Sequence, residues 1–264
     1  MIRIERGDAP LIVSIPHAGT DIPPQIAQQL ISAERGRFDA DYHVERLYAF
    51  AGALGATIVR TETSRTVIDV NRDPSGKSLY PGQATTGLCP VETFDGEPLY
   101  RAGAEPDAAE IGFRRATWFD PYHATLAEEI ARLRARHPRV VLYDAHSIRS
   151  RVPRMFEGEL PMFNIGTNGG QSCAPELADA VARICRASGA SHVVDGRFKG
   201  GWITRHYGCP GDGVHAIQME LAMRGYCDEG LTVDWPPHWD EARAEPCREV
   251  LRHILAAAVD FAER

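Results

Sequence analysis

The chain has 264 residues and a net charge of −7, with 36 acidic against 29 Lys and Arg side chains and no basic block, which argues against nucleic acid and against an anionic membrane surface as partners. No apolar run approaches the ~20 residues of a membrane span, and Met1-Ile2-Arg3-Ile4-Glu5-Arg6 lacks a signal-peptide core. The six cysteines form no C-x-x-C pair, so a cytoplasmic location with reduced thiols is expected rather than disulfides or a structural zinc site.

Residues 10–15 read as a first buried strand, ending at the sharp turn Pro16-His17-Ala18-Gly19-Thr20. Residues 41–55 place Val44, Leu47, Tyr48, Ala51 and Leu54 on one helical face, Gly55 closes that helix, and 56–60 return as a strand. A short strand over 66–70 leads into Asn71-Arg72-Asp73-Pro74, and 74–104, rich in Gly and Pro, form a long loop of the kind that carries function or moves. A helical stretch over 107–136 is broken near Pro121. The apolar run 139–142 is a buried parallel strand that delivers Asp144 and His146 to a sheet edge, where open α/β sheets bind ligands. Residues two apart share a face of a strand, and an Asp beside a metal-binding His often orients it. Strands over 161–165 and 191–194 flank a helix over 175–188 that opens with Pro. A second Gly-rich loop covers 196–213, a core strand 214–221 and a last helix 240–263. With no repeat or linker, the alternation implies a single domain over 1–264, an α/β chain folded as a three-layer α/β/α sandwich around a mixed, mostly parallel sheet.

Several of these strand ends carry polar residues of one kind. His17 follows the first strand, His146 the central one, and Asp41 opens the first amphipathic helix. Two imidazoles, one carboxylate and an open fourth position are a common catalytic zinc site, and such a metal acidifies water and polarises a carbonyl. Glu220 stands in an otherwise apolar strand, where burial raises a carboxyl towards the range of a general base. Each residue also has an ordinary structural role open to it: a turn for His17, a helix cap for Asp39 or Asp41, an Arg partner for Glu220. There is no H-E-x-x-H motif, no G-x-S-x-G elbow and no Cys at a motif.

The chain resembles the N-formylglutamate amidohydrolase family. The matching stretches are Ser14-Ile15-Pro16-His17-Ala18-Gly19, Asp41-Tyr42-His43-Val44, Val67-Ile68-Asp69-Val70-Asn71-Arg72, Pro98-Leu99-Tyr100, Pro121-Tyr122-His123, Asp144-Ala145-His146-Ser147-Ile148-Arg149-Ser150 and Phe163-Asn164-Ile165-Gly166-Thr167. The longest runs Gly196-Arg197-Phe198-Lys199-Gly200-Gly201-Trp202-Ile203-Thr204-Arg205-His206-Tyr207-Gly208, and together they span nearly the whole chain in order. The family is similar in turn to zinc carboxypeptidases and aspartoacylases. That likeness implies a phosphorylase/hydrolase-like fold, with Zn2+ or another divalent metal on His17, an acid and His146, and Glu220 as base. Asp69-Val70-Asn71-Arg72 resembles the aspartoacylase pattern and implies that Asn71 and Arg72 hold a substrate carboxylate.

One departure stands out. Carboxypeptidase-like enzymes take two ligands from His-x-x-Glu, whereas His17 is followed at that spacing by Thr20 and then Asp21. Likeness to cell-wall amidases implies Asp41 as the acid ligand, with Asp21 and Glu45 as alternatives. The implied activity is zinc-dependent hydrolysis of N-formyl-L-glutamate to formate and L-glutamate, the last step of a histidine degradation route. Two carboxylates on a small substrate suit bidentate Arg; the candidates are Arg65, Arg72, Arg149 and Arg205, with Lys199 and His206 in support. The rivals are a deacylase of another N-acyl amino acid, such as an acyl-aspartate, and a metal-free dicarboxylate-binding protein.

Overall fold

Residues 11–15, 140–148 and 214–222 are buried along their whole length, as strands covered on both faces must be. The structure, a computed structural model, describes residues 1–229 and 236–264. In chain order, β1 (Ile2–Glu5) and β2 (Leu11–Ile15) precede three short helices, α1 (Pro24–Ala27), α2 (Ala33–Arg37) and α3 (Val44–Leu47). β3 (Thr57–Thr61) leads through a long irregular stretch to α4 (Ala108–Arg114) and α5 (Asp120–Arg134). β4 (Val140–Ile148), β5 (Phe163–Gly166), α6 (Pro175–Ala187), β6 (His192–Val194), α7 (Trp202–Tyr207), β7 (Val214–Ala222) and α8 (Glu241–Glu263) follow.

The strands form one seven-stranded sheet in the order β1-β3-β2-β4-β7-β5-β6. β3, β2, β4 and β7 run parallel, while β1 and β5 pair antiparallel to their neighbours β3 and β7. One face packs Leu11, Val13, Val141, Tyr143, Ile217 and Met219 against α6 and α8. The other packs Ile12, Val140, Leu142 and Ala216 under Tyr122 and Leu126 of α5 and Ile203 of α7. The result is the expected three-layer α/β/α sandwich with a mixed, mostly parallel sheet. All six cysteines are free, and among the described residues no helix is long and apolar enough to cross a membrane.

Several elements differ from the sequence expectation. Residues 66–70 are a turn, not a strand. Their β-branched side chains do become buried, with Val67, Ile68 and Val70 in the core below α5; burial, rather than strand pairing, accounts for the composition. Residues 41–55 are not one helix. His43 takes a left-handed φ of 65°, α3 is a single turn, and Ala49–Leu54 is a 3-10 turn that Gly55 closes at φ 71°. The apolar spacing survives because both turns bury the same side. The helix over 107–136 is not broken at Pro121: a π-turn, Arg115–Phe119, joins α4 to α5, and the wider turn accommodates a proline that lacks an N–H. The loop over 196–213 contains α7. Edge strand β1, mostly exposed, carried no apolar signal.

The turn at 66–70 is held by Arg114, which is fully buried. Its Nη1 donates to Val67 O at 3.1 Å and to Tyr100 Oη at 2.8 Å, and its Nε to Glu110 at 2.7 Å. Arg114→Met keeps the volume but strands two buried acceptors, each at a cost of about 1–3 kcal/mol. Urea unfolding should show a clear loss of stability; a loss below ~1 kcal/mol would mean that water takes over the guanidinium's role.

Candidate active site

Along β4 the residues facing α5 begin apolar, at Val140 and Leu142, and turn polar at Asp144 and His146. β7 does the same: Val214 and Ala216 are followed by Gln218 and Glu220. The register sets Asp144 beside Gln218 and His146 beside Glu220. Polarity therefore begins where the helical cover ends, at the carboxyl edge of the parallel strands, the usual ligand crevice of such sheets.

Two loops complete the cluster. His17 follows β2 directly, and Asp41 docks on it through a backbone bond from Asp41 N to His17 O of 3.0 Å. Ser147 N then donates to Asp41 Oδ2 at 3.1 Å. Asp41 Oδ2 lies 3.1 Å from His146 Nδ1 and 3.7 Å from His17 Nδ1. His17, Asp41 and His146 can each offer one ligand atom, all within 4.8 Å of one another. The acid gathered here is Asp41. Asp21 is exposed and pairs with Thr63 through backbone, and Glu45 lies on α3 outside the group.

The donor set fits a cation on three counts. His17 Nδ1 is buried without a hydrogen-bond partner, and Asp41 Oδ1 has only the Arg65 guanidinium, 3.5 Å away; a buried orphan such as His17 Nδ1 normally calls for a missing partner. The far nitrogen of each ring faces a carboxylate: His17 Nε2 lies 2.7 Å from Asp69 Oδ1, and His146 Nε2 lies 3.0 Å from Asp144 Oδ2. A proton on Nε2 leaves the Nδ1 lone pair facing inward, which is how metal-binding imidazoles are held. His146 has a second tautomer, with Nε2 accepting from Asn71 at 2.9 Å and Nδ1–H facing Asp41; only the Nε2–H form can ligate. Finally, burial opposes an imidazolium at His146, but the carboxylates of Asp144 and Asp41 outweigh it and hold its pKa well above the histidine value. Burial likewise opposes charge on Asp41 and Asp69, yet the neighbouring His146 and His17 keep Asp41 ionised, and Arg72, His17 and Arg65 do so for Asp69. A pocket that stabilises positive charge in this way suits a divalent metal.

Glu220 stands beside this group. Burial pushes its carboxyl up to about 7, with His146 pulling it partly back. Gln218 fixes it, donating Nε2–H to Glu220 Oε2 at 3.2 Å while its own Oε1 accepts from Gly201 N at 2.7 Å. A Cβ on Gly201 would fall 2.4 Å from the Asn71 side chain, so only glycine lets α7 start this close to the site.

The cleft in front encloses about 480 Å³, open mouth included, and is lined by His17, His146 and Glu220 together with Arg65, Asn71 and Arg72. Asn71 reaches it fully engaged: Nδ2 donates to Asp144 Oδ2 at 3.1 Å and Oδ1 accepts from Ile203 N at 2.8 Å, so it braces the site. Arg149 is not brought there. It pairs with Asp95 at 2.6 Å and Asp39 at 3.4 Å, stacked over Phe38. Nor are Lys199, Arg205 and His206 part of the lining. Lys199 is exposed, Arg205 Nε donates to Gly200 O at 2.9 Å, and His206 is exposed and stacks on Trp202. Sequence reasoning passed over Arg197, which does line the cleft. Its only signal was its place in the long block over 196–208.

Sheet and cleft together set a buried cluster of His, Asp and Glu at the carboxyl edge of the parallel strands of a mixed α/β sandwich, an arrangement suited to hydrolysis. Residues 9–227 match the sequence pattern described as N-formylglutamate amidohydrolase, and the chain belongs to that family. It is 48% identical over 257 residues to an N-formylglutamate deformylase of Pseudomonas aeruginosa, covering 97% of this chain and 96% of that one. It is 44% identical over 266 residues to an N-formylglutamate deformylase of Pseudomonas putida, covering 100% and 98%. A crystal structure of N-formylglutamate amidohydrolase from Ralstonia eutropha shares the fold, with a TM-score of 0.79 at 24% identity over 99% of this chain and 97% of that one.

Proposed function

We propose that the chain hydrolyses N-formyl-L-glutamate to formate and L-glutamate, the last step of a histidine degradation route, using a divalent metal, zinc, held by His17, Asp41 and His146. The observation that carries this reading is His17 Nδ1, buried without a hydrogen-bond partner and gathered with Asp41 and His146 beside a buried acid. The names of the two Pseudomonas relatives support the substrate. When bound, zinc would polarise the formyl carbonyl and acidify water. Asp69 and Asp144 hold the Nε2–H tautomers that turn both Nδ1 lone pairs inward. Glu220, ionised above about pH 7, accepts a proton from the attacking water. As the water oxygen bonds to the formyl carbon and the C–N bond breaks, Glu220 gives that proton to the leaving amine. Arg72 supplies charge for a substrate carboxylate from the cleft wall.

The test is a substrate panel on metal-replete protein, with dialysis against a chelator and zinc restoration. N-formylglutamate should exceed N-formylaspartate by about 10-fold or more, the discrimination typical of one methylene, and N-acetyl amino acids should be poor. Activity should vanish with the metal and return with it. Preference for an acyl-aspartate would move the assignment to the rival deacylase, and full activity after chelation would remove the metal.

A further inference from the structure

We propose that Arg197 is the specificity-determining residue of this site, binding the side-chain carboxylate of the substrate and so confining the enzyme to acidic N-formyl amino acids. The inference rests on the reading above that the substrate is an N-formyl dicarboxylate.

Three guanidiniums line the cleft, and they differ in how their charge is met. Arg65 is neutralised from behind, with Nη2 2.6 Å from Asp69 Oδ2 and Nη1 3.5 Å from Asp41 Oδ1. Arg72 lies 3.8 Å from the same Asp69 carboxylate, and its Nε and Nη2 donate to Thr86 O and Oγ1 at 3.0 and 3.1 Å. Arg197 has no acidic partner among the described residues. Its Nε donates to Met155 O and its Nη2 to Ala84 O, both at 2.7 Å. These acceptors are neutral and belong to backbone, so they fix the plane of the guanidinium without cancelling its charge. Tyr80 and Phe198, at 5.4 and 5.3 Å from the guanidinium carbon, bracket it further. Nη1 accepts no such commitment among the described residues and keeps its protons for a ligand.

A part-buried cation without a counter-ion is unfavourable. Burial lowers the pKa of Arg197, and Arg72 adds to that, while Tyr80 and the more distant Glu220 only partly offset it. A carboxylate arriving in the cleft relieves that penalty, and a guanidinium already held in one orientation loses little freedom in binding it. Arg72 then serves the substrate's other carboxylate. The basic residues of the same block, Lys199, Arg205 and His206, do not line the cleft and do not compete for this role.

Kinetics with N-formylglutamate and its neutral isostere N-formylglutamine test this. In Arg197→Gln, KM for N-formylglutamate should rise about 10–100-fold with kcat changed only a few-fold, the scale of one lost charged hydrogen bond. KM for N-formylglutamine should rise far less than that for N-formylglutamate, and Arg197→Lys should fall between. Loss of the Met155 and Ala84 bonds alone would loosen the cleft and slow both substrates alike, so an equal loss on both overturns the proposal. Calorimetry with glutarate, which has no bond to hydrolyse, separates this from the hydrolytic reading. Glutarate binding wild type and failing on Arg197→Gln supports Arg197 even if N-formylglutamate is not turned over. Equal binding to both proteins overturns it whatever the activity.

Discussion

Glu220→Gln should keep its fold and its metal and lose at least ~10²-fold in kcat, the usual cost of removing a general base. Gln matches the carboxylate in shape and can still meet the amide of Gln218, which now sits 3.2 Å away. It cannot take a proton. The wild-type pH profile follows from the same carboxyl. Burial pushes it up to about 7, the base form exists above its pKa, and kcat/KM therefore falls as pH drops through that value. The positive charge of a bound metal draws the carboxyl down, so in the loaded enzyme this acidic limb should lie at or below pH 7. The residual activity of Glu220→Gln should lack the limb. Zinc content, melting temperature and kcat on one preparation decide the matter. A stable, zinc-loaded variant with near-native kcat would reduce Glu220 to a bracing role.

His17→Ala, Asp41→Ala and His146→Ala should each bind zinc more than ~10²-fold more weakly, beyond the usual effect of losing a group that merely supports a ligand, and activity should fall with occupancy. His17→Ala is the cleanest of the three. The Asp69 carboxylate it exposes remains paired with Arg65 at 2.6 Å, so the fold should persist and metal loss can be read directly. Asp21→Ala and Glu45→Ala are the controls and should bind zinc normally, since neither belongs to the donor group. Metal analysis of purified variants checks all five. Full occupancy in Asp41→Ala, or loss in Asp21→Ala or Glu45→Ala, would reassign the acid ligand.

Hydropathy and spacing alone determined the layers of this protein. β2, β4 and β7 are apolar runs of strand length, and the last helix and α6 begin and end close to where periodicity and the opening proline put them. The position of Asp144 and His146 at a sheet edge was legible for the same reason, because a strand's polarity switch is a local pattern. The failures were local signals overruled by long-range contact. Residues 66–70 have strand composition, yet Arg114, some 47 residues on, takes the Val67 carbonyl and holds a turn. Family likeness singled out Asp41, but only folding brought it to His146, 105 residues away. The arginines were decided entirely in three dimensions. Of Arg149 and Arg197, the sequence reading named the first and passed over the second. Asp95 and Asp39 claim the first, while backbone carbonyls hold the second without neutralising it. Whether a charge is spent inside the protein or kept for a ligand depends on which acids the tertiary fold sets beside it, and no periodicity in the chain encodes that.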